Sequence, residues 1–118
     1  MQKIYYLSTC STCARILKEW KADKRFELQD IKTEKITVNQ LDEMIALAGS
    51  SEVLFSRIAL KYRALGLGQK KLHEKDYRRY ILEEYTFLKR PVLIIGKEIF
   101  IGNSLKNVAA AAKRIQQG

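Results

Sequence analysis

The sequence predicts an α/β fold: a four-stranded mixed sheet with a helical insertion. Three observations carry this. A strand–helix–strand pattern opens the chain, an apolar hairpin followed by a helix closes it, and helical periodicity fills the middle.

Ile4-Tyr5-Tyr6-Leu7 is a short apolar run rich in β-formers, which reads as a buried strand. Ser8 to Thr12 is small and polar and reads as a loop. Cys13, Ile16, Leu17 and Trp20 then recur at helical spacing, so a helix starts near Ser11 or Thr12, either of which can cap it. Phe26 to Ile31 is the second strand. Strand, helix, strand makes a βαβ unit, whose crossover sets the two strands parallel.

Thr37-Val38-Asn39-Gln40 has the capping-box pattern, precedes Leu41, Met44, Ile45 and Ala48, and is stopped by Gly49. Val53, Leu54, Ile58, Leu60, Ala64 and Leu65 form a second helical apolar set, ended by Gly66 and Gly68. Asp76 to Tyr85 is a third helix, with Tyr77, Tyr80, Ile81 and Tyr85 as packing residues. Val92 to Ile95 and Ile99 to Ile101 flank Gly96-Lys97-Glu98 as a hairpin. Ser104 ends the Gly102-Asn103-Ser104 break and caps a last helix, with Leu105, Val108, Ala109, Ala112 and Ile115 facing the core. The helical middle is too short for a separate domain and reads as an insertion.

At 118 residues, 47% of them apolar, the chain has material for one core. No apolar run approaches the roughly 20 residues of a membrane span, and the N-terminus lacks the apolar core of an export signal. The net charge is +9, but acidic residues sit among the basic ones and no run of five like charges occurs, so direct nucleic-acid binding is not expected.

The two cysteines lie together in Cys10-Ser11-Thr12-Cys13. Two are too few for a disulfide scaffold, and His73 is the only histidine, so a four-ligand zinc site cannot be built within one chain. His73 reads as a surface residue near a helix start. A close thiol pair without an export signal points to the reducing cytoplasm and to redox or nucleophilic chemistry. The thiolate is the attacking form, and an unperturbed cysteine is only a few per cent ionised at neutral pH. Cys10 precedes a predicted helix N-terminus, where free N–H groups favour an anion. The same groups, at Ser11 and Thr12, can hold an oxyanion that Cys10 attacks, and Arg15 adds positive charge. Cys13 is one helical turn on, placed to resolve the adduct as a disulfide. Cys13 also fits the core stripe with Ile16 and Leu17 as a small buried apolar residue.

YYLSTCSTCARILKEW, LFSRIALKYRALGL around Arg57, FLKRPVLI and IFIGN together resemble the arsenate reductase-like family of thioredoxin-fold proteins, which holds ArsC, Spx and YffB. The resemblance implies a single thioredoxin-like domain over 1–118, with its core at 1–32 and 88–118 and a helical insertion at 33–87. It implies that Cys10 is reactive and that the Arg90–Pro91 bond is cis and lies beside it. ArsC enzymes bind arsenate at the cysteine and neutralise it with three arginines. Arg57 and Arg90 match two of them, and the third falls near Gly102. Arginine suits the task because its planar fork holds two oxyanion oxygens at once. ArsC enzymes lack a cysteine at the position of Cys13, whereas Spx has C-x-x-C and a glycine at the hairpin exit.

Two functions follow from the resemblance. One is a thiol-dependent reductase, a monomer acting on a small oxyanion or a protein thiol partner. It has no bound cofactor and takes electrons from glutathione, glutaredoxin or thioredoxin. The other is a redox-sensing transcriptional regulator that binds the RNA polymerase α subunit through a Cys10–Cys13 switch.

Overall fold

The computed structural model describes residues 2–118. The chain begins with β1 (Gln2–Tyr6), α1 (Ser11–Glu19) and β2 (Phe26–Asp30), and ends with β3 (Val92–Ile95), β4 (Glu98–Ile101) and α5 (Leu105–Gln116). Between them lie α2 (Val38–Ala48), α3 (Leu60–Ala64) and α4 (Glu74–Glu83), with short 3-10 turns at Glu52–Leu54, Leu67–Gln69 and Tyr85–Phe87. The sheet order is β2-β1-β3-β4. β1 runs parallel to β2 and antiparallel to β3, and β3 to β4 is the expected hairpin. This is the mixed four-stranded sheet that the sequence predicts. No helix among the described residues is long and apolar enough to cross a membrane.

The chain forms two compact units. One comprises Met1–Lys35 and Arg90–Gly118, the other Ile36–Lys89. Against the expected insertion at 33–87, the second unit starts three residues later and ends two residues later. The Glu34 N–H donates to the Asp30 carbonyl at 2.8 Å, and the buried Gln29 amide donates to the Glu34 carbonyl at 3.0 Å, which holds this segment to the sheet. At the other end, Leu88 bridges Phe55 and the Lys89 N–H donates to the Leu54 carbonyl at 2.8 Å, so both stay with the helices.

In the first unit, strand alternation sends Ile4, Phe26, Leu93 and Ile95 to one sheet face. Ile16 and Trp20 of the α1 segment pack there, with Val108, Ala111 and Ile115 of α5. The Trp20 indole N–H donates to the Val108 carbonyl at 3.1 Å, tying the end of α1 to α5. Both helices therefore share one face. Tyr5, Gln29, Val92 and Ile94, on the opposite face, are also buried. Of the expected α5 set, Val108 and Ile115 are buried and Ala112 packs partly buried against the core, while Ala111 faces the core in place of Ala109. Leu105 is 82% exposed, because in the first turn, right after the Ser104 cap, it has no sheet to lie against. β1 ends at Tyr6, since the Leu7 carbonyl accepts the Cys10 N–H at 3.0 Å and turns the chain.

In the second unit, α2 starts at the Thr37–Gln40 capping box and stops at Gly49, whose φ of +97° is the left-handed conformation that a side chain disfavours. The second apolar set does not form one helix. The Ser56 N–H donates to the Phe87 carbonyl at 2.7 Å and Phe55 bridges Leu88, so the chain is extended there and only the short α3 follows. Ile58 and Leu60 are consequently exposed. The third helix starts and stops two residues early. His73, exposed, is its cap, its N–H donating to the Asp76 carboxylate at 2.8 Å, and Glu84 accepts the Thr86 N–H to begin a 3-10 turn at Tyr85. The core of this unit is aromatic: Phe55 contacts Tyr77 at 4.9 Å and stacks on Phe87 at 5.0 Å between centroids.

Leu93 is fully buried in the central strand β3. Leu93→Ala is expected to lower unfolding stability by about 2–5 kcal/mol through the cavity it leaves. Urea denaturation followed by circular dichroism measures this.

Candidate functional site

Cys10 itself is the N-cap of α1, with extended backbone (φ −97°, ψ 112°), and its carbonyl accepts the Ala14 N–H at 3.2 Å. This corrects the expected cap at Ser11 or Thr12. The Leu7–Cys10 turn brings the chain into the helix one residue sooner, so Ser11 is already the first helical residue, exposed, and Thr12 the second, half-buried. A sulfur thus occupies the place usually taken by a hydroxyl or carboxylate oxygen. The neutral thiol makes no cap hydrogen bond, but the amides of the first turn are placed to serve the thiolate.

Four influences compete with burial at Cys10. Burial alone raises its pKa. The Cys13 amide, the Cys13 thiol, the Thr12 amide and the positive charge of Arg90 all lower it, and together they prevail, so Cys10 ionises below its ordinary 9.0. Arg90 is the cation that acts here. Arg15, expected to contribute, lies on the exposed side of α1.

Cys13 is fully buried and its pKa is pushed up to about 11. Burial is the main cause; the Leu7 amide opposes it, while the negative charge of Cys10 and the hydrogen bond to it raise the value further. Both cysteines are free thiols, Cys10 partly accessible. One close pair therefore holds a sulfur that ionises below its ordinary range and one that ionises above it.

The Arg90–Pro91 peptide bond is cis. Pro91 is buried, and Arg90 is half-buried at the entry to β3. The Pro91 carbonyl accepts the Gly102 N–H at 2.9 Å, and the Gly102 carbonyl accepts from the Asn107 amide at 2.8 Å. Gly102 has a φ of +89°, so this hairpin exit favours glycine over an arginine on backbone grounds alone.

Asp30 was not singled out by its sequence. At the end of β2 its Oδ1 accepts the N–H of Ser8 and of Lys32, each at 3.2 Å. The carboxylate is held below its usual range, chiefly by its hydrogen bond with the Ser8 side chain. It anchors the loop that leads into Cys10. A lone aspartate after a strand, followed by Ile-Lys-Thr, is the available signal: Asp side chains accept from backbone N–H groups two residues on.

Arg57 belongs to the helical unit. Within that unit its Nη2 donates to Glu52 Oε2 at 2.8 Å and to the Tyr77 hydroxyl at 2.9 Å. Among the described residues no group of three or more His, Cys, Asp or Glu side chains gathers as a metal site would require.

The family profile described as ArsC family matches residues 5–111. The chain belongs to the ArsC family. The Global transcriptional regulator Spx 2 of Bacillus anthracis is 24% identical over 106 residues, 86% of this chain and 79% of that protein. Among solved structures, the YFFB protein superposes with a TM-score of 0.76 at 24% identity, covering 95% of this chain and 99% of its own. An arsenate reductase from Vibrio cholerae superposes with a TM-score of 0.75 at 16% identity, covering 92% and 95%. The fold of this ArsC-family chain is the thioredoxin-like one.

Three measurements check the site: labelling, stability against pH, and thiolate absorbance. Iodoacetamide labelling of Cys10 is expected to titrate below 9.0, and that of Cys13 near 11, read by mass spectrometry against pH. The linked stability change has opposite signs. Cys10 adds stability that is lost as pH falls through its depressed folded pKa; Cys13 keeps its proton when folded, so stability falls as pH rises from 9.0 towards about 11. Asp30→Ala is expected to raise the Cys10 pKa by releasing the loop, and Asp30→Asn, which keeps the acceptor oxygen, to preserve most of it. Thiolate absorbance at 240 nm reads both.

Proposed function

We propose that the chain is a thiol-based oxidoreductase in which Cys10 attacks an oxyanion or a disulfide-type substrate and Cys13 resolves the adduct. The observation that carries this reading is the asymmetry of the pair: Cys10 sits at a helix N-cap where the first-turn amides and the charge of Arg90 lower its pKa, and Cys13 is buried one turn away with a hydrogen bond to it.

With a disulfide, the Cys10 thiolate bonds to one substrate sulfur and the other leaves as a thiolate. With arsenate, it bonds to arsenic, and one arsenate oxygen leaves as water. The Cys13 thiolate then bonds to the Cys10 sulfur, and that sulfur's bond to the substrate breaks. The substrate takes the electron pair, as a thiolate or as arsenic(III), and the cysteines are left as a disulfide. Two external thiol groups, from glutathione, glutaredoxin or thioredoxin, then reduce this disulfide in the cytoplasm and are themselves left as a disulfide. The amides of Ser11 and Thr12 and the Arg90 guanidinium hold the oxyanion.

The order of steps is supported by the causes acting on Cys13. Its high pKa derives in part from the charge of Cys10 and the hydrogen bond to it. Once Cys10 is bonded to substrate, both causes disappear and Cys13 becomes easier to ionise, although burial still restrains it. The reading does not need Arg57, which is engaged by Glu52 and Tyr77 in the other unit.

A second reading is favoured by the likeness to the protein named Global transcriptional regulator Spx 2. In it, closure of Cys10–Cys13 removes the sulfur from the α1 cap and alters the first turn offered to a partner, the RNA polymerase α subunit.

Arsenate-dependent consumption of a reducing thiol separates the two. The enzyme reading expects turnover that is abolished in Cys10→Ser and reduced about 10- to 100-fold in kcat/KM by Arg90→Ala, the loss of one charged hydrogen-bond donor. In Cys13→Ser it expects a trapped Cys10 adduct unless an external thiol is present. The regulator reading expects no turnover, and α-subunit capture that changes with the redox state of the pair.

A further inference from the structure

The helical unit carries an open cavity of about 410 Å³, lined by neither cysteine nor by Arg90. Its size falls in the range of ligand sites. Arg57 stands on one wall with its guanidinium fixed by four groups: the Glu52 carboxylate, the Tyr77 hydroxyl, and the rings of Tyr77 and Phe55 at 5.4 and 6.0 Å. Both hydrogen bonds leave from Nη2, so the Nε and Nη1 donors are available to a second acceptor.

Arg63 is the other cation of the lining. It is exposed and forms no ion pair among the described residues. No carboxylate belongs to the lining itself; Glu52 pairs with Arg57 at 2.8 Å, so Arg63 carries the uncompensated charge of the rim. Ile58 and Leu60 complete the wall, each 87% exposed. Large apolar side chains left this open beside a cationic rim are the pattern of a surface that a partner buries. A solvated surface needs neither Ile58 nor Leu60, and a simple anion site needs no apolar wall.

We propose that this cavity docks an acidic segment of a partner protein, one that presents a carboxylate to Arg57 and Arg63 and a bulky apolar side chain to Ile58 and Leu60. The charge complementarity selects this occupant over a basic segment or a second copy of this strongly basic chain. The surface acts in the reduced protein and goes beyond the thiol chemistry, so failure of one reading leaves the other intact.

The test is an amide chemical-shift titration of the full reduced chain with an end-blocked five-residue peptide alternating glutamate and leucine. Shifts confined to residues 57–69 are expected, with affinity falling at least about tenfold in Arg63→Glu and in Leu60→Ser. Both positions are exposed, so folding is preserved and is verified by the unchanged remainder of the spectrum. Four results overturn the proposal: no shifts at 57–69 at millimolar peptide, equal shifts from the matching lysine–leucine peptide, the same shifts from inorganic phosphate alone, or loss of the shifts to self-association.

Discussion

The structure depends on one electrostatic arrangement, in which the free amides at the start of α1 face the sulfur of Cys10. A helix leaves its first N–H groups without intrahelical acceptors, and these carry partial positive charge. The usual solution is an oxygen at the cap. Here the chain turns at Leu7, the cap position falls on a cysteine, and the first-turn amides favour the ionised form of its sulfur. The helix and the anion each meet the other's need. Arg90 adds a full charge from a distant part of the sequence, delivered by the sheet: β3 lies beside β1, which places the start of one near the end of the other.

The second thiol is governed by the opposite condition. Cys13 is on the buried stripe of α1, where its proton is retained because ionisation would place a charge in an apolar core beside another negative sulfur. Neither the two-residue spacing nor the residue type distinguishes the pair. Position relative to the helix start does: one sulfur caps the helix and the other is turned into the core. The core packing and the asymmetry in ionisation thus have a common origin in the register of α1 on the sheet.

The supporting contacts all engage the backbone. Asp30 ties the incoming loop to the end of β2, while Gly102 and Asn107 tie the Pro91 carbonyl to the hairpin exit. In the helical unit, the extended Phe55–Ser56 stretch pairs with Phe87–Leu88 and brings Ile58 and Leu60 out to solvent. The same pairing leaves Arg57 over the Phe55 and Tyr77 rings, so the shape of that surface follows from a short piece of β pairing within a helical segment.

The sequence by itself determined the strands, the hairpin, the capping box at Thr37, and a cysteine at the mouth of a helix. These are local: apolar period, turn chemistry and cap residues act over a few neighbouring positions. Only the tertiary structure decided that Cys10 is the cap, that Arg90 rather than Arg15 supplies its charge, and that Asp30 holds its loop, because each needs elements far apart in the chain to meet. It also decided against a helix over residues 53–65, where apolar spacing suggested one. Pairing with Phe87 and Leu88 satisfies that backbone in extended form, and periodicity carries no information about a partner some thirty residues away.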